Sequence, residues 1–208
     1  MTATSTASAP PADIPREAKL TLAVASLAVL AVFLDTTVLF VAFPDIVATF
    51  DTVAPAQLSW VLNAYTIVFA ALLVPAGKFA DRLGHKRAFL AGSVLFTVAS
   101  MACGLAPSAG ILIAFRVVQA VGAATLIPSS LALLLRAFPP AKVPFAVAIW
   151  GASGAVAGAL GPTLGAVLVE AASWRWVFFI NLPIGLFTVI AGRRFLHESK
   201  DETATVPA

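Results

Sequence analysis

Residues 20–43 read LTLAVASLAVLAVFLDTTVLFVAF, an apolar run broken by one acid, Asp35. About 20 apolar residues carry an α-helix across the roughly 30 Å hydrocarbon core of a bilayer. A secretory signal has an apolar centre of only about 7–15 residues and ends at a cleavage site. This run is longer, and it follows an Ala-, Ser-, Thr- and Pro-rich beginning. It reads as an uncleaved first membrane span behind a disordered tail over residues 1–19.

The rest of the chain repeats the pattern. Of its 208 residues 60% are hydrophobic and 11% charged, with mean hydropathy +0.97. A soluble domain is about 45–50% apolar and about 25% charged, and one core of this size could not hide so much apolar surface. Charges, Pro and Gly divide the sequence into spans near 20–43, 58–76, 88–105, 111–135, 144–169 and 176–192. Each must be a helix, because hydrocarbon offers the backbone no other partners, and no alternating barrel pattern appears.

Lys and Arg set the orientation. Arg16 and Lys19, then Lys78, Arg82, Lys86 and Arg87, then Arg136 and Lys142, then Arg193, Arg194 and Lys200 all fall on one side of the six spans. The opposite loops hold Arg175 beside Asp45, Asp51 and Glu170. Both termini are therefore expected in the cytoplasm. The net charge of +3 reflects these loop anchors and does not indicate a nucleic-acid partner. The single cysteine, Cys103, excludes a disulfide framework within the chain and reads as a small apolar side chain in a span. His85 and His197 lie apart, so no metal site is expected; His85 reads as a solvated loop residue. Trp60, Trp174 and Trp176 fall at outer edges, where aromatic belts lie.

Two ionisable residues remain inside spans, Asp35 and Arg116. A charge at mid-bilayer costs about 2.5–3.5 kcal/mol on insertion scales. At 1.5 Å per residue, Asp35 lies about 24 Å outward from Lys19, and Arg116 about 8 Å below the outer edge of its span. Both depths fall in the outer half, which permits pairing. Gln119 follows Arg116 by three residues and shares its helical face. Two readings of this trio stand: an ion pair that fixes helix packing, or a proton or cation relay in a water-filled cavity, in which Asp35 would load and release a proton as the Arg moves. Span five offers Gly151, Gly154, Gly158, Gly161 and Gly165, expected on one face as a close-packing ridge, with Pro162 favouring a kink. Static packing and a sliding surface explain that ridge equally well.

Gly77-Lys78-Phe79-Ala80-Asp81-Arg82-Leu83-Gly84-His85-Lys86-Arg87 forms the expected connection between spans two and three. Gly77 and Gly84 would allow tight turns, and Asp81 would pair with Arg82, Lys86 or Arg87. This segment resembles the signature loop of the major facilitator superfamily, G-x-L-A-D-R-x-G-R-K, with Phe79 in place of Leu and His85 in place of Arg. Leu34-Asp35-Thr36-Thr37-Val38 through Ala42-Phe43-Pro44 resembles the span-one motif of the fourteen-span drug:proton antiporter branch, with Phe40 where Asn is usual. Arg116 to Ala124 resembles its span-four motif, with Ala120 in place of a Gly. Gly161 to Ala166 resembles its span-five motif, although Ala157 and Ala166 stand where glycines are usual. Trp174-Arg175-Trp176 through Asn181-Leu182-Pro183-Ile184-Gly185 is similar to the start of span six.

The resemblance implies several roles. Arg116 would take part in proton transfer, with Asp35 and Gln119 lining the cavity. Gly77, Asp81, Arg82, Gly84 and Arg87 would form the conformational switch loop. Gly154, Gly158, Gly161, Pro162 and Gly165 would form the antiporter packing motif. Superfamily transporters place two six-span halves around a central site, each half a 3+3 inverted repeat.

The expectation is thus an all-α integral membrane domain over 20–196, one half of such a fold, with 197–208 a cytoplasmic tail or truncated linker. Its function would be proton-coupled efflux of drugs or other small lipophilic compounds across the plasma membrane. The partners would be the lipid bilayer, a small-molecule substrate and a second half or homodimer, and the proton gradient would replace any cofactor. The alternative is a truncated or regulatory membrane half that binds a partner without transporting. An enzyme is not expected, because no nucleophile–base pair, metal cluster or phosphate cradle appears.

Overall fold

The computed structural model describes residues 14–196; the expectations for 1–13 and 197–208 fall outside the described residues. The elements are α1 (Arg16–Thr49), α2 (Pro55–Leu58), α3 (Trp60–Leu83), α4 (His85–Gly104), α5 (Ala109–Ala137), a 3-10 turn (Pro140–Lys142), α6 (Val143–Ala171), α7 (Trp176–Phe179) and α8 (Asn181–Phe195). Among the described residues six helical segments are long and apolar enough to cross a membrane: Arg16–Thr49, Pro55–Leu83, His85–Gly104, Ala109–Ala137, Pro140–Ala171 and Trp176–Phe195.

Several helices outrun the sequence-based spans because hydropathy measures the hydrocarbon crossing, whereas the hydrogen-bond ladder continues into polar ends. The first helix thus includes Arg16 to Lys19, four residues expected in the tail, and Ala18 is buried in it. The connection expected over 77–87 is almost entirely helical. Only Gly84 separates α3 from α4, and its φ of 98° is the one positive value among the described residues. A side chain there would be strained, so Gly84 supplies the turn. Gly77 instead lies inside α3 against Pro128. At the other face, Ser108 caps α5 by accepting a hydrogen bond from the Ile111 amide at 3.4 Å.

The packing follows an internal symmetry. Number the spans one to six (α1, α2–α3, α4, α5, α6, α7–α8). Span one packs on spans four, five and six, span four on spans one, two and three, and span three on span six. Exchanging one with four, two with five and three with six returns the same set, as a 3+3 repeat requires. Interior prolines obey the same exchange: Pro44, Pro75, Pro128 and Pro162 lie inside the helices of spans one, two, four and five. Spans three and six carry none beyond the first turn of α8. Helix α6 continues unbroken through Pro162.

The cores are built largely from small residues. Leu34, Val38, Ala42, Leu112, Ala157 and Phe178 pack in one cluster, and Ala28, Ala31, Phe96, Ala120 and Ala123 in another. Spans two and five bury little of themselves and keep apolar faces such as Ile67, Val74, Val156 and Leu160 exposed.

The glycine ridge of span five is divided. Side chains advance about 100° per residue, so the five glycines share one face about 80° wide, and that face has two edges. Those on one edge meet span one: Gly161 lies against Thr37, Gly165 against Val38, and Gly154 against Phe33. Gly151 and Gly158, on the other edge, would place a Cβ in open space. Gly161→Ala should therefore destabilise by about 1–3 kcal/mol through overpacking, while Gly158→Ala should be neutral or gain up to about 1 kcal/mol of helix propensity. Thermal unfolding of the two variants in detergent checks this, and equal losses would contradict the split.

Candidate functional site

Asp35 sits mid-way along α1, the helix that packs on both span four and span six. The structure brings together the three residues expected to line the cavity. Arg116 Nη1 donates to Asp35 Oδ2 at 2.6 Å, and Gln119 Nε2 donates to Asp35 Oδ1 at 2.8 Å. Arg116 Nη1 also donates to Gln119 Oε1 at 2.9 Å, which fixes the amide with its nitrogen toward the carboxylate. Asp35 and Arg116 are each 1% exposed and Gln119 is 0% exposed, so the pair is desolvated.

Side chains with no assigned role complete the site. Asn181, the first residue of α8, donates from Nδ2 to Asp35 Oδ1 at 2.8 Å and to Ser100 Oγ at 3.0 Å. Ser100 Oγ donates in turn to the Phe178 carbonyl at 2.9 Å. The Cys103 thiol points at Gln119 Oε1, 3.7 Å away. Arg116 Nε donates to the Val61 carbonyl at 3.2 Å, and its guanidinium lies 3.9 Å from the centroid of the Tyr65 ring, a cation–π arrangement. Five spans thus contribute to one polar centre: Asp35 from one, Val61 and Tyr65 from two, Ser100 and Cys103 from three, Arg116 and Gln119 from four, Asn181 from six.

Chemically, the centre holds one carboxylate, one guanidinium and two amides away from solvent. An ionised carboxylate accepts only, and a protonated one also donates. Such a group can hold a proton or hand it on when its cation moves. Asn181 entered the sequence analysis only within the stretch similar to the start of span six and carried no role there. Ser100 gave no signal, and the Val61 carbonyl is backbone, which sequence patterns do not single out.

The other expected site residues lie away from this centre. Asp81 is exposed and faces His85 Nε2 at 3.6 Å, across the Gly84 turn. His85 is only 5% exposed within α4, so the expectation of a solvated loop residue is corrected: Gly84 turns the chain so tightly that His85 begins the next helix against the bundle. Arg82 and Arg87 lie on the exposed surface of this corner, and Lys86 Nζ donates to the Arg193 carbonyl at 3.2 Å. Trp60 and Trp176 are half exposed, as belt residues would be. Trp174 is buried instead; it donates from Nε1 to Thr49 Oγ1 at 2.9 Å and lies under Arg175, whose Cζ is 4.4 Å from its ring centroid. Phe40 is 60% exposed and takes no part in the polar centre.

A family model described as Major Facilitator Superfamily matches residues 25–208. The chain belongs to this superfamily. Among curated members, the tetracenomycin C resistance and export protein of Streptomyces glaucescens is 38% identical over 184 residues, covering 88% of this chain and 34% of that protein. The methylenomycin A resistance protein of Streptomyces coelicolor is 41% identical over 198 residues, covering 94% and 41% respectively. The chain thus spans less than half the length of these major facilitator relatives. A crystal structure of a bacterial homolog of the human lysosomal transporter Spinster matches with a TM-score of 0.70 at 20% identity, covering 92% of this chain and 46% of that one. This last likeness is one of fold. The resemblance to drug exporters of the superfamily, read from the motifs of spans one, four, five and six, is borne out by the relatives.

Proposed function

We propose that this chain is a six-span half of a proton-coupled efflux transporter that moves drugs or other small lipophilic compounds with a second half. The observation that carries the reading is the desolvated Asp35–Arg116 pair, braced by Gln119 and Asn181. A buried charge in a membrane is expensive, and an intramembrane carboxylate marks a proton or ion path by default. The resistance and export named for the relatives supports drugs or toxic metabolites as cargo. The exposed apolar faces of spans two and five suit a second half or another copy, and the basic loops suit the cytoplasmic side of the plasma membrane. The proton gradient would supply the energy, without a bound cofactor or catalysed reaction.

Proton-driven dye efflux from vesicles tests this. Asp35→Asn should insert in the same amount and lose proton coupling entirely, so that efflux becomes insensitive to an imposed pH difference. Unchanged proton-driven efflux in that variant would overturn the relay. Wild-type vesicles that move no dye, with or without a second copy, would favour a regulatory membrane half.

A further inference from the structure

Asp35 is surrounded by donors. Arg116, Gln119 and Asn181 each direct an N–H at it, an arrangement that suits the ionised carboxylate. A proton placed on Oδ1 turns that oxygen into a donor that needs an acceptor. Gln119 Oε1 is already engaged by Arg116 and Cys103. Asn181 Oδ1 is fully buried and accepts nothing, although Nδ2 of the same amide makes two hydrogen bonds. A buried acceptor left open beside a carboxylate calls for a physical explanation.

We propose that Asn181 is a positioning residue for proton loading, an amide that turns over when Asp35 takes up a proton. With Asp35 ionised, Nδ2 bridges Asp35 and Ser100, as observed. With the proton on Asp35 Oδ1, the amide rotates and Oδ1 accepts from the new O–H. Ser100 then donates to the same Oδ1 and releases the Phe178 carbonyl. No covalent bond changes besides the O–H formed on Asp35 by the arriving proton. The charge state of span one is thereby reported to span three and to the start of span six. Other titratable or charged groups facing Asp35 are Arg116 from span four, Tyr65 from span two and Cys103 from span three; span five carries no ionisable residue before Glu170.

The inference rests on the proton-relay reading and is separable from it. The chain holds two asparagines, exposed Asn63 and buried Asn181, so asparagine labelling gives only two side-chain amide signals. In the full chain reconstituted in lipid vesicles with labelled Asn and Asp, the Asn181 amide should shift in one step on acidification, together with the Asp35 carboxyl carbon. The carboxyl signal is assigned by its loss in Asp35→Asn. In that variant, a neutral mimic able to donate whose own amide adds a third signal, the Asn181 signal should stay at the acid position at every pH. An Asp35 that titrates while the Asn181 amide stays fixed overturns the inference alone. An Asp35 that never takes up a proton overturns the relay and the inference together. A coupled shift in a protein that shows no proton-driven efflux supports the amide switch and removes the transport reading.

Discussion

Arg116→Leu is expected to lower the stability of the bundle by about 3–5 kcal/mol, because it leaves the Asp35 carboxylate buried without its cation. Asp35 would keep Gln119 and Asn181 as donors, but neither carries charge. The same change strips the Val61 carbonyl and the Tyr65 face of their partner. Replacing both charges, Asp35→Leu with Arg116→Leu, should recover much of the loss, since apolar substitutes for a buried pair are often neutral or better. Added salt should leave the difference unchanged, because a desolvated pair is poorly screened. Denaturant unfolding in detergent micelles measures all three. A single variant within about 0.5 kcal/mol of wild type, as at an unremarkable surface position, would show that the pair is hydrated rather than sealed.

The second large effect is expected at Gly122. A Cβ there would lie 2.6 Å from the Phe96 nitrogen, 2.9 Å from the Phe96 Cα and 3.0 Å from the Gly92 carbonyl oxygen. All three are backbone atoms, so no rotamer change relieves the clash, and spans three and four must separate. Gly122→Ala should cost at least the about 1–3 kcal/mol of ordinary overpacking, and Gly122→Val should fail to give folded protein. Folded yield by size-exclusion chromatography, set beside Gly158→Ala, checks it. A well-folded Gly122→Val would mean that the crossing of spans three and four tolerates separation.

These two sites show what the sequence discloses and what it hides. The pair of Asp35 with Arg116 was legible because each charge is anomalous in its own apolar run, and helix rise places both in the outer half. The bundle was legible for the same reason, since hydropathy registers every crossing. Gly122 was hidden: it and Gly92 are isolated glycines on different helices, whose meeting depends on how spans three and four cross. The periodic ridge of span five attracted attention, yet only part of it touches span one. Trp174 and His85 were misjudged because local sequence reports nearness to a membrane edge or a loop, whereas burial depends on how tightly the adjoining turn folds back. Asn181 needed the third dimension, since nothing in its own run points to Asp35.

The distribution of interior prolines has a mechanical consequence. A helix that already lacks one ladder hydrogen bond loses less when it bends at that place. Spans one, two, four and five are hinged in this sense; span three carries no proline, and span six has Pro183 in the first turn of α8, just after the break at Ile180. Asp35 and Arg116 ride on hinged members, while Ser100 and Cys103 sit on proline-free span three and Asn181 at the start of α8. A bend in span one or four would therefore load first the hydrogen bonds that tie Asp35 to Asn181 and Gln119 to Cys103.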